Sequence, residues 1–138
     1  MSNDNGVPKR KVLLVDDSVT TLFMEWVILG ESSHLSLFTA ANGEEAIQVA
    51  QQEKPDLILM DAVMPHMNGV QACRAIRAID GIGDVPIILV TTRGEDDNVL
   101  GGYASGCTGY ITKPVNPAEL VALVEAHLGD KEALGSNK

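Results

Sequence analysis

Asp16 and Asp17 follow a short apolar run at residues 12–15, Asp61 follows one at 57–60, and Thr91 and Thr92 follow one at 87–90. Lys113 closes a weaker stretch that begins at Cys107. Carboxylates crowded into one small site raise one another's pKa, because each disfavours the other's charge. A hard divalent cation relieves that repulsion, and oxygen ligands with room for water and phosphate suit Mg²⁺. A carboxylate can also attack phosphorus and form an acyl phosphate. The extra charge of that product needs neutralising from several sides. Lys113 offers a compact cation on a flexible stem, and the Thr91 hydroxyl offers a donor. Each residue alone has a plainer explanation: an acidic pair favoured by a helix macrodipole, a capping threonine, a surface lysine. Delivered together to one place, they describe a phosphoryl-accepting site.

Whether they meet depends on the elements that carry them. The three apolar runs are too short for helices and lack alternation, as expected of strands buried on both faces of a parallel sheet. Residues 35–40 and 107–112 are weaker strand candidates and suit the sheet edges. Helical segments lie between. Ser18 can cap one that runs to about Gly30, a second spans 43–52, and a third runs from Asn68 to about Ala78. The last begins at Asn116-Pro117-Ala118-Glu119, with a capping residue, a first-turn proline and a returning glutamate, and stops at Gly129. Strand and helix thus alternate five times, which predicts a doubly wound α/β domain, a flavodoxin-like three-layer sandwich. Right-handed crossovers and three central strands favour the order 2-1-3-4-5. In such folds ligands bind outside the carboxyl ends of the strands, where the polar residues named above fall.

A chain of 138 residues forms one domain, expected over 11–129, with tails at 1–10 and 130–138. The net charge is −9, and the only basic cluster is Lys9, Arg10 and Lys11. Without a basic footprint to displace counterions, direct nucleic-acid binding is not expected. Cys73 and Cys107 stand 34 residues apart, a spacing that suits neither a metal nor a redox pair, so reduced, buried thiols are expected. No apolar run approaches the ~18 residues of a membrane span, and the polar start is unlike a signal peptide. A cytoplasmic protein is the expectation.

The motifs Val15-Asp16-Asp17, Leu59-Met60-Asp61-Ala62-Val63-Met64-Pro65 with Asn68-Gly69, Val90-Thr91-Thr92 and Tyr110-Ile111-Thr112-Lys113-Pro114 together resemble the receiver domain of two-component response regulators. The spacings agree as well: 44 residues from Asp17 to Asp61, 30 on to Thr91 and 22 on to Lys113. The resemblance implies that Asp61 is the phosphoacceptor and that Asp17 coordinates Mg²⁺, with Asp16 helping directly or through water and the Val63 backbone carbonyl as a further ligand. It implies that Lys113 contacts the phosphoryl group and that the bond before Pro114 is cis. Thr91 would move toward the phosphoryl while Tyr110 turns inward. That would alter the face built from the fourth helix, fifth strand and fifth helix. The fourth helical segment, residues 95–104, contains Gly101-Gly102, which weakens a helix and suits a labile switch face.

The partners implied are a sensor histidine kinase or histidine phosphotransfer protein and a downstream effector protein, with the receiver a monomer or a phosphorylation-dependent dimer. Met1 and the polar ending point to a stand-alone receiver. A phosphorelay intermediate or phosphate sink, or the receiver part of a longer regulator with an output domain, are the alternatives. A hydrolase of small phosphoesters is disfavoured, because such enzymes carry a second acid two residues after the nucleophile, and Val63 stands there. Valine is apolar and Arg93, two residues after Thr91, only donates. Neither positions a hydrolytic water, so a persistent aspartyl phosphate is expected. The first helix is apolar around its circumference, from Val19 and Leu22 through Phe23, Trp26 and Val27 to Leu29. Any part of it left exposed would serve a partner helix.

Overall fold

A computed structural model describes residues 9–92 and 106–128. Five parallel strands, β1 (Arg10–Val15), β2 (Leu35–Ala40), β3 (Leu57–Asp61), β4 (Ile87–Thr91) and β5 (Gly109–Thr112), form one sheet in the order β2-β1-β3-β4-β5. Helices α1 (Val19–Gly30), α2 (Gly43–Glu53), α3 (Gly69–Arg77) and a last helix (Pro117–Leu128) cover it. The fold is the expected doubly wound, flavodoxin-like sandwich, with the two weaker strands at its edges. The fourth helical segment expected at 95–104, with its paired glycines, lies outside the described residues.

The three central runs form central strands because nearly every side chain in them is buried. Alternation then sends them to opposite faces. Leu13, Ile58, Met60, Ile87 and Leu89 join the core beneath α2 and α3, where Ala46, Ala50, Cys73 and Ile76 meet them. Val12, Leu14, Leu57, Leu59, Ile88 and Val90 join the core beneath α1 and the last helix, with Leu29, Leu120 and Val124. Each fully buried leucine or isoleucine contributes roughly 1.5–3 kcal/mol, and truncating one to alanine costs about 2–5 kcal/mol. Both cysteines are buried thiols outside any disulfide, as expected.

Helix starts are set by side-chain caps, which satisfy amide groups the helix itself leaves unpaired. Ser18 Oγ accepts from the Thr21 N–H at 3.2 Å, and Asn42 Oδ1 from the Glu45 N–H at 2.8 Å. Asn68 and Gln71 form a reciprocal capping box. Asn116 Oδ1 accepts from the Glu119 N–H at 3.0 Å. Two boundaries differ from expectation. β1 takes in Arg10, which pairs with Leu35 in the ladder, so the strand starts one residue inside the stretch read as a tail. β5 starts at Gly109 rather than Cys107. Gly106 turns the chain at φ +107°, and Thr108 Oγ1 accepts the Ile87 N–H at 3.0 Å, so a side chain takes the place of a ladder acceptor.

Candidate functional site

Parallel pairing brings the ends of β1, β3 and β4 level, so the residues that follow them share one edge. Asp16 follows β1 directly. Its N–H donates to the Ala40 carbonyl at 3.1 Å, and its Oδ1 accepts the Ser18 N–H at 2.8 Å, fixing the turn into α1. Asp61 ends β3, is 7% exposed, and accepts the Val63 N–H at 3.2 Å. Carboxylate oxygens of Asp16, Asp17 and Asp61 all lie within 4.8 Å of one another. Asp17 is exposed, so the cluster opens to solvent on that side.

Lys113 arrives from β5. Its backbone N–H donates to the Thr91 carbonyl at 2.6 Å, and the following peptide bond to Pro114 is cis. The Nζ stands 3.5 Å from Oδ2 of both Asp16 and Asp61. Burial by itself would lower the Lys113 pKa, but the charges of Asp16 and Asp61 and the hydrogen bonds to them outweigh it and raise it. The Asp61 pKa is raised, chiefly by burial and then by Asp16. The Val63 amide and the lysine pull the other way. One ammonium against three carboxylates leaves the site short of positive charge, and the buried Asp16 Oδ2 is met by the Lys113 ammonium only at a long 3.5 Å, with no closer hydrogen bond among the described residues. Hard oxygen donors with an unsatisfied member fit a hard divalent cation.

Thr91, at the end of β4, is buried, and Thr92 beyond it is exposed. Val63 and Tyr110 are each about half exposed, beside Asp61 and on β5 respectively. Arg93 lies outside the described residues. Gly69 is a close-approach position: a Cβ there would stand 2.7 Å from the Asp61 carbonyl oxygen and 2.9 Å from Ala62 Cα. Its own N–H donates to the Ala62 carbonyl at 2.9 Å. Glycine thus lets α3 start against the strand end that carries Asp61.

One residue of the site escaped sequence reasoning. Glu25, on α1, is 1% exposed. Burial first, then the charge of Asp16, pushes its carboxyl up to about 8, against a smaller opposing pull from Lys113. The available signal was its spacing: Leu22, Glu25 and Leu29 fall on one helical stripe, and Leu29 is core.

The response regulator receiver domain family matches residues 12–125. The chain is 41% identical over 117 residues to the transcriptional regulatory protein YvrH of Bacillus subtilis, covering 85% of this chain and 48% of that protein. It is 36% identical over 118 residues to protein PilH of Pseudomonas aeruginosa, covering 86% of this chain and 97% of that one. The chain thus spans about half the length of YvrH but nearly all of PilH. Among solved structures it resembles the receiver domain of the sensor histidine kinase PA1611 of Pseudomonas aeruginosa, with a TM-score of 0.80 and 28% identity, over 88% of this chain and 99% of that one. That structure has a magnesium ion coordinated in its active-site cleft.

Proposed function

The chain belongs to the response regulator receiver family, signalling switches of two-component systems, and from that premise we propose that Asp61 accepts a phosphoryl group from a histidine kinase or phosphotransfer protein. The observation that carries this reading is the convergence of three carboxylates within 4.8 Å, with one lysine bridging two of them. In the reaction a carboxylate oxygen of Asp61 forms the new bond to phosphorus while the P–N bond of a donor phosphohistidine breaks. The imidazole leaves with a proton. Asp16, Asp17, Asp61 and the Val63 carbonyl would hold Mg²⁺, which when bound supplies the positive charge the cluster lacks. Lys113, already 3.5 Å from Asp61 Oδ2, is placed to follow the new phosphoryl oxygens. The Thr91 hydroxyl and the exposed Tyr110 ring are the groups expected to move, and Thr92 lies beside them.

The donor would dock on α1. Val19, Phe23, Trp26 and Val27 are 80%, 68%, 44% and 47% exposed, an apolar surface that suits a partner helix. It continues into a groove of about 490 Å³ between α1 and the last helix, lined by Val27, Ile28, Val121 and Glu125 among others. Phe23→Ala with Trp26→Ala is expected to slow transfer from the donor protein and to leave small-molecule labelling unchanged. Slow hydrolysis is also part of this reading: the Val63 side chain offers no polar group to position a water beside Asp61, so Val63→Asn and Arg93→Glu should shorten the phosphoryl lifetime.

Intact mass after incubation with acetyl phosphate and Mg²⁺ tests the core of the proposal. One added phosphoryl group in wild type, absent in Asp61→Asn and abolished by EDTA, is expected. A folded wild type that stays unlabelled by acetyl phosphate and by a donor kinase alike would rule it out.

A further inference from the structure

β5 carries Lys113 to the acidic cluster, yet little in the strand itself fixes how far along β4 it lies. It has four residues, stands at the edge of the sheet and, among the described residues, pairs with β4 alone. Gly109 offers no side chain, Tyr110 is exposed, and of the four only Ile111 is buried. A strand with so little on its buried face specifies its register weakly. A slip of one residue would shift the chain by about 3.3 Å. Lys113 Nζ stands only 3.5 Å from Asp16 and Asp61, so its contacts would not survive the slip.

A clasp at the opposite end of β5 supplies what the strand lacks. Thr108 meets Ile87, the first residue of β4, twice. Its N–H donates to the Ile87 carbonyl at 2.7 Å, and its Oγ1 accepts the Ile87 N–H at 3.0 Å. Two bonds to one residue fix which residues lie opposite. Packing does not account for the contact, because Thr108 is exposed. The chain entering the clasp is held as well. Arg77 donates to the Gly106 carbonyl from Nε at 2.9 Å and from Nη2 at 2.6 Å, and Nη2 lies 3.4 Å from Thr108 Oγ1. Beyond the clasp the ladder keeps one register from Ile88↔Gly109 to Thr91↔Thr112, and the Lys113 N–H then donates to the Thr91 carbonyl at 2.6 Å.

We propose that Thr108 is a positioning residue for phosphoryl transfer. Its hydroxyl sets the register of β5 and so holds the Lys113 ammonium against Asp61 from the far end of the strand. The inference rests on the reading of Lys113 as the group that follows the phosphoryl oxygens.

The rate of acetyl phosphate labelling tests it, followed by intact mass at saturating Mg²⁺ and at a temperature where every variant is folded. The variants are Thr108→Val, Thr108→Ser, Lys113→Met and Thr108→Val combined with Lys113→Met. Valine keeps the branched shape and deletes the acceptor. It is expected to slow labelling roughly 10-fold, because a small misplacement of a group that meets the reacting atoms costs that much or more. Serine keeps the hydroxyl and should retain the rate. In the combined variant the valine should add nothing to the loss caused by Lys113→Met, since residues that act through one group are not additive. Thr108→Ala takes the place of the valine variant if that one does not fold. Wild-type labelling by Thr108→Val overturns the inference, as does equal slowing in the serine and valine variants. So does a valine effect of full size once Lys113 is already removed, which would mark Thr108 as structural only. Lys113→Met that labels as fast as wild type overturns the reading of Lys113 itself and the inference with it, a result distinct from the others.

Discussion

At the amino-terminal edge of the sheet, charged groups meet partners. Arg10 pairs with Asp56 at 3.7 Å, and Lys11 Nζ reaches the Glu53 carbonyl at 3.1 Å. Arg77 donates to the carbonyls of Gly83, Val85 and Gly106 at 3.1, 2.6 and 2.6 Å. At the carboxyl-terminal edge Asp16, Asp17 and Asp61 cluster, with Lys113 Nζ 3.5 Å from two of them, and Glu25 is buried on α1. The same sheet therefore has one edge whose polar groups are satisfied and one whose polar groups are in deficit. A satisfied charge contributes to stability and can do little else. An unsatisfied one costs stability and can bind a ligand that N-terminal-edge pairing would exclude.

The contrast is broken most severely at Asp61. Asp61→Asn should abolish phosphoryl uptake altogether, yet raise the melting temperature in EDTA, because it removes a crowded, partly desolvated carboxylate whose pKa is already raised. A variant that loses labelling and stability together would mean that the deficit edge is structural after all.

pH probes the same deficit. Glu25 has its pKa raised from 4.5 to about 8 in the folded chain. Between those values the native state holds a proton that the unfolded state releases. The associated stability is complete below pH 4.5 and falls as pH rises toward 8. The loss across the window is on the order of several kcal/mol. Urea unfolding in EDTA should show wild type weakening over this range relative to Glu25→Gln, and parallel profiles would refute the raised value. Asp61 moves in the same direction.

Filling the deficit should reverse it. Mg²⁺ at 100 times its dissociation constant is expected to stabilise wild type by about 2.7 kcal/mol, and EDTA to remove the gain. The satisfied edge should respond to neither treatment. There, Arg77→Ala deletes donors to three carbonyls and is expected to cost roughly 2 kcal/mol in urea unfolding, with Mg²⁺ affinity unchanged. A shift in Mg²⁺ affinity would show that the two edges are coupled through α3.

How much of this was legible beforehand follows from the physics of each part. Residues 57–60 and 87–90 read as central strands because a strand buried on both faces needs a continuous apolar run, and few other elements tolerate one. Asp16, Asp61, Thr91 and Lys113 stood out because the topology itself sends strand ends to one edge. The caps at Asn68 and Asn116 were local chemistry. Glu25 was hidden because α1 is apolar on its outer face too: Val19, Phe23, Trp26 and Val27 blur the phase from which its inward stripe is read. The start of β5 was hidden because the Thr108 hydroxyl stands in for a backbone acceptor, an exchange that no pattern of hydrophobicity records. The close approach at Gly69 depends on where α3 lands against β3, which is tertiary information.

The smallest expected effect separates two kinds of satisfied charge. Arg10 and Asp56 are 37% and 38% exposed and 3.7 Å apart. An exposed pair gains little in high dielectric and loses side-chain entropy, so it contributes about 0–1 kcal/mol. Arg10 also donates to the Leu128 carbonyl at 3.1 Å, a last-turn acceptor that water can satisfy instead. Arg10→Met keeps most of the apolar stem and removes the charge. It should lower stability by less than about 1 kcal/mol and lose that difference in high salt. Arg77 differs because its guanidinium serves carbonyls in the 83–85 turn and at Gly106, tying α3 to the loops that enter β4 and β5. If Arg10→Met cost as much as Arg77→Ala, the stabilising element of this edge would be its net charge rather than its hydrogen bonding. The comparison between edges would then have to be redrawn as one of charge sign.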